Sequence, residues 1–194
     1  VEVSTGRVVD FRAKEYLRHD PVPGTVPLIY PTHFDRGFVH WPKLGNKKPN
    51  ALAIAPATQP LLLPNGWYVL VKRFTAKEEP RRVVAALSDP ARISADQIGF
   101  ENHLDVFHRG GRGLPADLAK GLAVYLNSTL LDVYVRQFSG HTQVNATDLR
   151  ALRYPSEGVL TTLSAQVSDR FPSQSDIDTM LEEELRRMAD IQSA

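Results

Sequence analysis

The clearest pattern in the chain is a run of aromatic and aliphatic residues that begins after Gly66. Residues 67–74, WYVLVKRF, are rich in aromatic and β-branched side chains, which favour a β-strand. Arg81–Leu87 is the expected hairpin partner of this strand. Ile98–His108 is predicted as a third strand, whose alternation would place four side chains on one face: Glu101, His103, Asp105 and Phe107.

The spacing of apolar residues becomes helical after the glycine-rich segment 110–113. One helical face carries Leu118, Leu122 and Tyr125, and a second carries Leu131, Tyr134, Val135 and Phe138. A last amphipathic helix is expected after Pro172, behind a serine cap at Ser175. The pattern therefore predicts an α+β fold: a twisted, mainly antiparallel sheet, a helix pair and an acidic C-terminal helix.

The first 66 residues contain no long periodic run. Prolines at positions 21, 23, 27 and 31 favour an extended backbone, and residues 28–30 are predicted to form a short strand. Thr32–Asn50 is predicted as a long loop or loose hairpin. This loop carries a tryptophan and three lysines, Trp41, Lys43, Lys47 and Lys48.

Charge is divided unevenly along the chain, although the formal net charge is only +1. Residues 1–154 hold 20 lysines and arginines against 14 carboxylates, whereas residues 155–194 hold 3 against 8. A basic body suits an anionic partner, although ordinary solvated charge explains such a balance equally well. No apolar run is long enough for a membrane helix and no signal peptide is visible, so a cytoplasmic protein with no membrane partner is expected.

Several kinds of chemistry lack their motifs in this sequence. Cysteine is absent, which excludes thiolate sites and disulfides. Gly111-Arg112-Gly113 lacks the third glycine of a dinucleotide fingerprint and is better interpreted as a turn, with backbone amides for a phosphate at most. No two prolines are adjacent, so the Pro-Pro-aromatic motif of amino-methylating enzymes is missing. Glu101, His103 and Asp105 are too spread along a strand to hold zinc together, so no metal site is predicted.

Polar and basic side chains gather in two segments that suit nucleic acid. Residues 136–145, RQFSGHTQVN, offer donors and acceptors that pair with base edges and phosphates, although a capped turn would use the same residues. Lys72, Arg73, Lys77 and Arg81 surround the predicted hairpin, where basic residues also serve as solvated strand edges.

These segments together resemble the C-terminal half of adenine-specific DNA methyltransferases from restriction–modification systems. The resemblance is carried in order by residues 4–11 (STGRVVDF), 67–79, 99–103 (GFENH), 125–128 (YLNS) and 138–145, which lead to Leu152-Arg153-Tyr154-Pro155. It runs from about Val1 to about Leu160 and leaves the last 30 residues outside.

The resemblance implies that residues 1–160 form a DNA target-recognition domain and that residues 161–194 form a helical extension. It also implies that the S-adenosylmethionine site and the catalytic motif belong to an N-terminal catalytic domain of the same parent protein. The start at Val1 would then be a fragment boundary. No cofactor and no catalytic residue is expected in this chain, and its partner would be double-stranded DNA.

Twelve residues are the candidates for DNA contact. The lysines and arginines would mainly hold phosphates, and the polar residues between positions 141 and 145 would lie near the bases. The set is Lys43, Lys47, Lys48, Lys72, Arg73, Lys77, Arg81, Arg136, His141, Thr142, Gln143 and Asn145. Gln143 and Asn145 are equally well interpreted as structural turn residues.

Two other functions stay open at the level of sequence. The first is a self-contained DNA-processing hydrolase that uses His103 or His108. The second is a protein-interaction domain in which the acidic C-terminal helix binds a partner subunit.

Overall fold

The protein folds as three layers, a helical layer and two β-sheets. The structure is a computed structural model that describes residues 1–75, 78–138 and 143–192 of the 194-residue chain. Its strands are β1 Glu2–Thr5, β2 Leu17–Arg18, β3 Thr25–Ile29, β4 Phe34–Asp35, β5 Phe38–Val39, β6 Ala51–Ala53, β7 Leu62–Pro64, β8 Tyr68–Lys72, β9 Ala85–Ser88, β10 Gln97–Phe100 and β11 Leu104–His108. Its helices are α1 Ala116–Leu126, α2 Thr129–Phe138, α3 Ala146–Ala151, α4 Glu157–Ser164 and α5 Gln174–Gln192.

The strands form a six-stranded sheet in the order β1-β11-β8-β9-β5-β4 and a five-stranded sheet in the order β2-β6-β3-β10-β7. All pairings are antiparallel except β3 with β10 and β5 with β9. The predicted α+β class with mainly antiparallel strands and a helix pair is confirmed, but the strands divide into two sheets instead of one. None of the helices in the described ranges is long and apolar enough to cross a membrane.

The central strand β8 shows why the sheets stack. Val69 and Val71 pack on the helices, while Tyr68 and Leu70 pack on the five-stranded sheet, and all four side chains are fully buried. A strand covered on both faces needs an unbroken apolar run, which is what residues 68–71 provide. A third apolar cluster, around Leu28 and Leu52, covers the far side of the five-stranded sheet.

The prediction of one strand over Ile98–His108 is wrong. Residues 101–103 form a turn that moves the chain from the five-stranded sheet, at β10, to the six-stranded sheet, at β11. The buried Glu101 carboxylate accepts the His103 amide at 3.0 Å, and the Leu104 amide donates to the Glu101 carbonyl at 3.0 Å. Glu101 and His103 therefore do not share a sheet face with Asp105 and Phe107.

The C-terminal helix α5 packs Ile177 and Leu181 on the helical layer. Its cap is Ser173 instead of the predicted Ser175, because the Ser173 hydroxyl accepts the Asp176 amide at 3.3 Å while the Asp176 carboxylate accepts the Ser173 amide at 3.2 Å. The predicted boundary at residue 160 falls inside α4, and the division into 1–160 and 161–194 stays a prediction.

One carboxylate ties the helical layer to the segment before β9. Asp132 of α2 accepts the amides of Arg82 and Val83 at 2.6 and 3.0 Å and the Arg136 guanidinium at 2.8 Å. Burial opposes ionisation of Asp132, but these hydrogen bonds outweigh it and hold its pKa below the ordinary value.

We expect Asp132→Asn to destabilise the fold by about 2 kcal/mol at pH 7, since hydrogen bonds to a charged acceptor are lost. A lowered folded-state pKa gives stability that is present above about pH 4 and lost as the pH falls through the folded-state value. The free energy of unfolding of the variant should therefore fall less between pH 7 and pH 3 than that of the wild type, as measured by urea titrations at both pH values. Asp169→Asn, at an exposed carboxylate, is the control, and an equal effect of both changes would contradict the role of Asp132.

Candidate nucleic-acid interface

The segment Tyr30–Phe34, which follows β3, is the centre around which the candidate interface is built. We call it the Tyr30–Phe34 hub. The fully buried His33 fixes its turn: the Tyr30 amide donates to His33 Nδ1, and His33 Nε2 lies 2.9 Å from Asn50 Oδ1. Burial lowers the pKa of His33, so the ring is neutral and suits an acceptor at Nδ1 and a donor at Nε2.

Three of the predicted lysines converge on this hub. Lys43 donates its ammonium to the Thr32 carbonyl at 2.9 Å, and the Lys48 nitrogen lies 5.2 Å from the Tyr30 ring centroid. Lys72, at the end of β8, lies 5.8 Å from the ring centroid of Phe34. We call Lys43, Lys48 and Lys72 the lysine cluster.

The lysine cluster keeps most of its charge available. Among the residues that the structure describes, no carboxylate lies within ion-pair distance of Lys43, Lys47 or Lys72, whereas Lys48 is paired with Asp10 at 2.9 Å. Lys47 is exposed in the same loop as Lys43 and Lys48. The loop predicted from Thr32 to Asn50 therefore presents cations, although residues 34–39 within it form the β4–β5 hairpin.

A cleft of about 240 Å³ opens beside the hub. It is lined by Tyr30, Pro31, Thr32, Lys48, Phe74, Glu101 and His103. The rings of Phe74 and His103 lie 5.0 Å apart, and each side chain is a little under half exposed. Glu101, which is fully buried, is hydrogen-bonded to His103 Nδ1 and so fixes the orientation of the histidine ring. Burial raises the pKa of the Glu101 carboxyl, and the bonds from His103 oppose that rise.

Arg73 borders the cleft but is occupied by protein groups. Its Nη1 donates to the Asn102 carbonyl at 2.6 Å, its Nη2 lies 3.4 Å from Asn145 Oδ1, and its side chain is 19% exposed. Asp105 Oδ1 lies 3.9 Å from Arg73 Nε, and burial raises the pKa of Asp105 to about 6 against the attraction of that guanidinium. These contacts favour a positioning role for Arg73 over the phosphate contact predicted from the sequence.

The polar residues Gln143 and Asn145 lie next to Arg73 and Phe74. Gln143 forms an antiparallel bridge with Phe74, and the Val144 amide donates to the Arg73 carbonyl at 2.8 Å. Asn145 caps α3, where its own amide donates to Asp148 at 2.9 Å. Asn145 thus has the structural turn role that the sequence left open beside DNA contact, while Gln143 is half-buried beside the cleft.

Two predicted DNA contacts, Arg81 and Arg136, bond protein groups of the helical layer and of the chain before β9. Arg81 donates to Gln174 of α5 at 2.6 Å and to the Ser128 carbonyl at 2.7 Å. Arg136 bonds Asp132 and the carbonyls of Glu79 and Pro80. Both guanidiniums thus join the helical layer to the chain before β9, a role that basic spacing alone does not reveal.

Three further candidates, Lys77, His141 and Thr142, lie outside the described residues. Within the described part of the chain, no group of three metal-ligating side chains comes together. Phe74 and Tyr30 were missed as site residues because aromatic residues in strand patterns predict core. The one available signal was the position of Phe74 directly after Lys72-Arg73.

The glycine-rich turn leaves no backbone amide free over residues 109–112. The Arg109 and Arg112 amides donate to each other's carbonyls, Gly110 donates to Glu2, and Gly111 donates to His108 Nδ1. These four amides are therefore not available to a phosphate, whereas a phosphate contact at the start of α1 stays a prediction.

His108, one of the two histidines of the hydrolase alternative, is not placed to act as a base on Ser4. Its Nδ1 accepts the Gly111 amide at 3.1 Å, and its Nε2 lies 2.9 Å from the Ser4 hydroxyl. Burial lowers the pKa of His108, so the ring is neutral, and the neutral ring carries its proton on Nε2. A protonated Nε2 donates to Ser4 and cannot remove its proton, unlike the histidine of a serine hydrolase.

Two curated proteins are similar to almost the whole chain. The first is the "Type II methyltransferase M.PstI" of Providencia stuartii, 50% identical over 188 residues, which are 97% of this chain. The second is the "Type II methyltransferase M.BsuBI" of Bacillus subtilis, 49% identical over 185 residues, which are 94% of this chain. No family model and no solved structure matches the chain.

The match covers only part of these relatives, since the chain spans 37% of the length of each. At this level of identity over 185 residues or more, the resemblance to methyltransferases of restriction–modification systems is confirmed. The homologues of this chain are type II methyltransferases, of which it corresponds to somewhat more than one third.

Proposed function

We propose that this chain binds duplex DNA sequence-specifically, as the target-recognition part of an adenine-specific type II methyltransferase. About half of the aligned residues are identical to those of the matching segment in each of two type II methyltransferases. The observation that carries the proposal is the lysine cluster: Lys43 and Lys48 from one loop and Lys72 from β8 meet at one hub.

In this proposal the reaction takes place on another part of the parent protein. A catalytic domain on the N-terminal side would hold S-adenosylmethionine, which supplies the methyl group. The chain itself would hold the duplex so that the target adenine can rotate out of the stack into that domain. The occupied amides of the glycine-rich turn and the missing Pro-Pro motif support this division. A methyltransferase that acts on the bacterial chromosome would work in the cytoplasm.

The candidate residues would have different roles in DNA binding, according to the chemistry of their side chains. Lys43, Lys47, Lys48 and Lys72 would contact phosphates, which sets the register of the duplex without reading its sequence. Gln143 has the donor and acceptor that pair with adenine in the major groove. Arg73 and Asn145 would hold the Gln143 segment in place through their mutual hydrogen bond.

A salt titration of duplex binding tests the proposal. The chain, with a labelled random-sequence duplex, should bind with an affinity that falls steeply between 50 and 200 mM salt, with a log–log slope of about −3 to −4 for four phosphate contacts. A duplex that carries the parent enzyme's methylation site should bind more tightly by a further factor of about 1,000. Absence of duplex binding at low salt would overturn the proposal.

A further inference from the structure

Phe74 is an apolar residue held in an exposed position by the backbone hydrogen bonds of Arg73 and by its own bridge to Gln143. Its side chain is 44% exposed, whereas Val69, Leu70 and Val71 of the preceding strand are fully buried. The Arg73 amide donates to the His103 carbonyl at 3.0 Å, and the Arg73 carbonyl accepts the Val144 amide at 2.8 Å. The bridge between Phe74 and Gln143 fixes the backbone further.

The Phe74 ring is supported by two cationic or ionisable groups. The His103 ring lies 5.0 Å away at an interplanar angle of 52°, and the Arg73 guanidinium carbon lies 5.7 Å from the ring centroid. His103 is itself oriented by the buried Glu101 carboxylate, so this support is anchored in the core. The ring is therefore preorganised and loses little conformational freedom when a partner covers it.

The chemistry around the ring selects its partner. The cleft beside Phe74 is lined in part by Lys48 and by Thr32, whose carbonyl accepts the Lys43 ammonium, which favours a polyanion that also carries flat apolar faces. Nucleic acid has both features, and aromatic side chains stack on any base whose face is exposed. In an intact duplex both faces of each base are covered, so such a face appears only where a base has left the stack or a step has opened.

We propose that Phe74, backed by His103, stacks on an unpaired nucleobase of the bound DNA, with the lysine cluster on the neighbouring phosphates. This inference rests on the proposed function, and it assigns to Phe74 the stabilisation of DNA from which one base has been displaced. The stacking does not depend on sequence, in contrast to the hydrogen bonds expected of Gln143.

The test compares a fully paired duplex with the same duplex containing one unpaired 5-iodouracil. Wild-type chain should prefer the unpaired duplex by about 10-fold, and irradiation should crosslink the iodouracil to Phe74, located by mass spectrometry. Phe74→Leu keeps the apolar volume but removes the π face, so it should abolish the preference and the crosslink. Phe74→Trp should retain the preference, and Leu130→Ala, at an exposed apolar residue of α2, should leave it unchanged.

The outcomes separate the two proposals. If wild-type chain binds no duplex in a salt-dependent manner, the proposed function itself fails. If it binds paired duplex with the expected salt dependence but Phe74→Leu and wild type show equal preference for the unpaired base, only the stacking inference is overturned. A preference that disappears in Phe74→Leu and persists in Phe74→Trp supports the stacking inference. Both variants keep an apolar side chain at position 74, and only tryptophan keeps an aromatic face.

Discussion

Replacing Lys43, Lys47 and Lys72 together by glutamine is expected to weaken duplex binding by about 100-fold at 0.15 M salt. Each lysine that contacts a phosphate releases a counterion, so three losses should flatten the slope of log affinity against log salt by about 2.7. Glutamine keeps the aliphatic stem and much of the length of each side chain, and none of the three lysines makes an ion pair within the described residues. Fold stability should therefore change little, which thermal unfolding will verify.

A second triple variant separates location from net charge. Lys120, Arg186 and Arg187 belong to the helices α1 and α5, away from the Tyr30–Phe34 hub in the chain and in the contacts they make. Their replacement by glutamine also removes three positive charges, and it should leave the slope of log affinity against log salt nearly unchanged. Equal losses in both triple variants would mean that general charge, and not the location of Lys43, Lys47 and Lys72, attracts the duplex.

Gly121→Ala is expected to destabilise the protein by about 3 kcal/mol, because α1 and α4 touch backbone to backbone at this point. A Cβ atom on Gly121 would lie 1.7 Å from the Leu160 carbonyl oxygen, far inside van der Waals contact. Alanine favours helix over glycine by about 1 kcal/mol, so the steric effect must overcome that gain. Urea unfolding with an unchanged m value would measure the difference.

Gly158 of α4 provides the matched control for this steric argument. A Cβ atom there would meet only the Ser156 hydroxyl at 3.9 Å, an ordinary contact. Gly158→Ala should therefore be neutral or stabilising by about 0.5 kcal/mol, through helix propensity alone. If both alanine variants had the same stability, close packing of α1 on α4 would not explain the glycine at position 121.

The sequence predicts elements well where one periodicity extends through a whole strand or helix. Residues 67–74 are predicted as a strand because β8 is buried on both faces, and the 3.6-residue spacing of α1 and α2 is equally regular. The turn at residues 101–103 escapes prediction because its cause is a side chain. The Glu101 carboxylate closes it, and alternation along Ile98–His108 contains no sign of that bond.

The candidate site is predictable only in part for a related reason. Lysine content identifies Lys43, Lys47 and Lys48 as a basic loop, but the approach of Lys72 depends on pairing between distant strands. The same reasoning assigned Arg81 and Arg136 to DNA, although their guanidiniums bond Ser128, Gln174 and Asp132. A basic residue that holds two layers together and one that faces solvent look alike in sequence, since the difference lies in which acceptors the fold brings near.

The turn at residues 101–103 has a mechanical consequence for recognition. It is a direct covalent connection between β10 of one sheet and β11 of the other, and the side chains of Glu101 and His103 in this turn line the cleft. Widening that wall would require breaking strand pairs on either side, β3 with β10 or β8 with β11. The cleft is thus stiff, and in the proposed complex any deformation would fall mainly on the more pliable double helix.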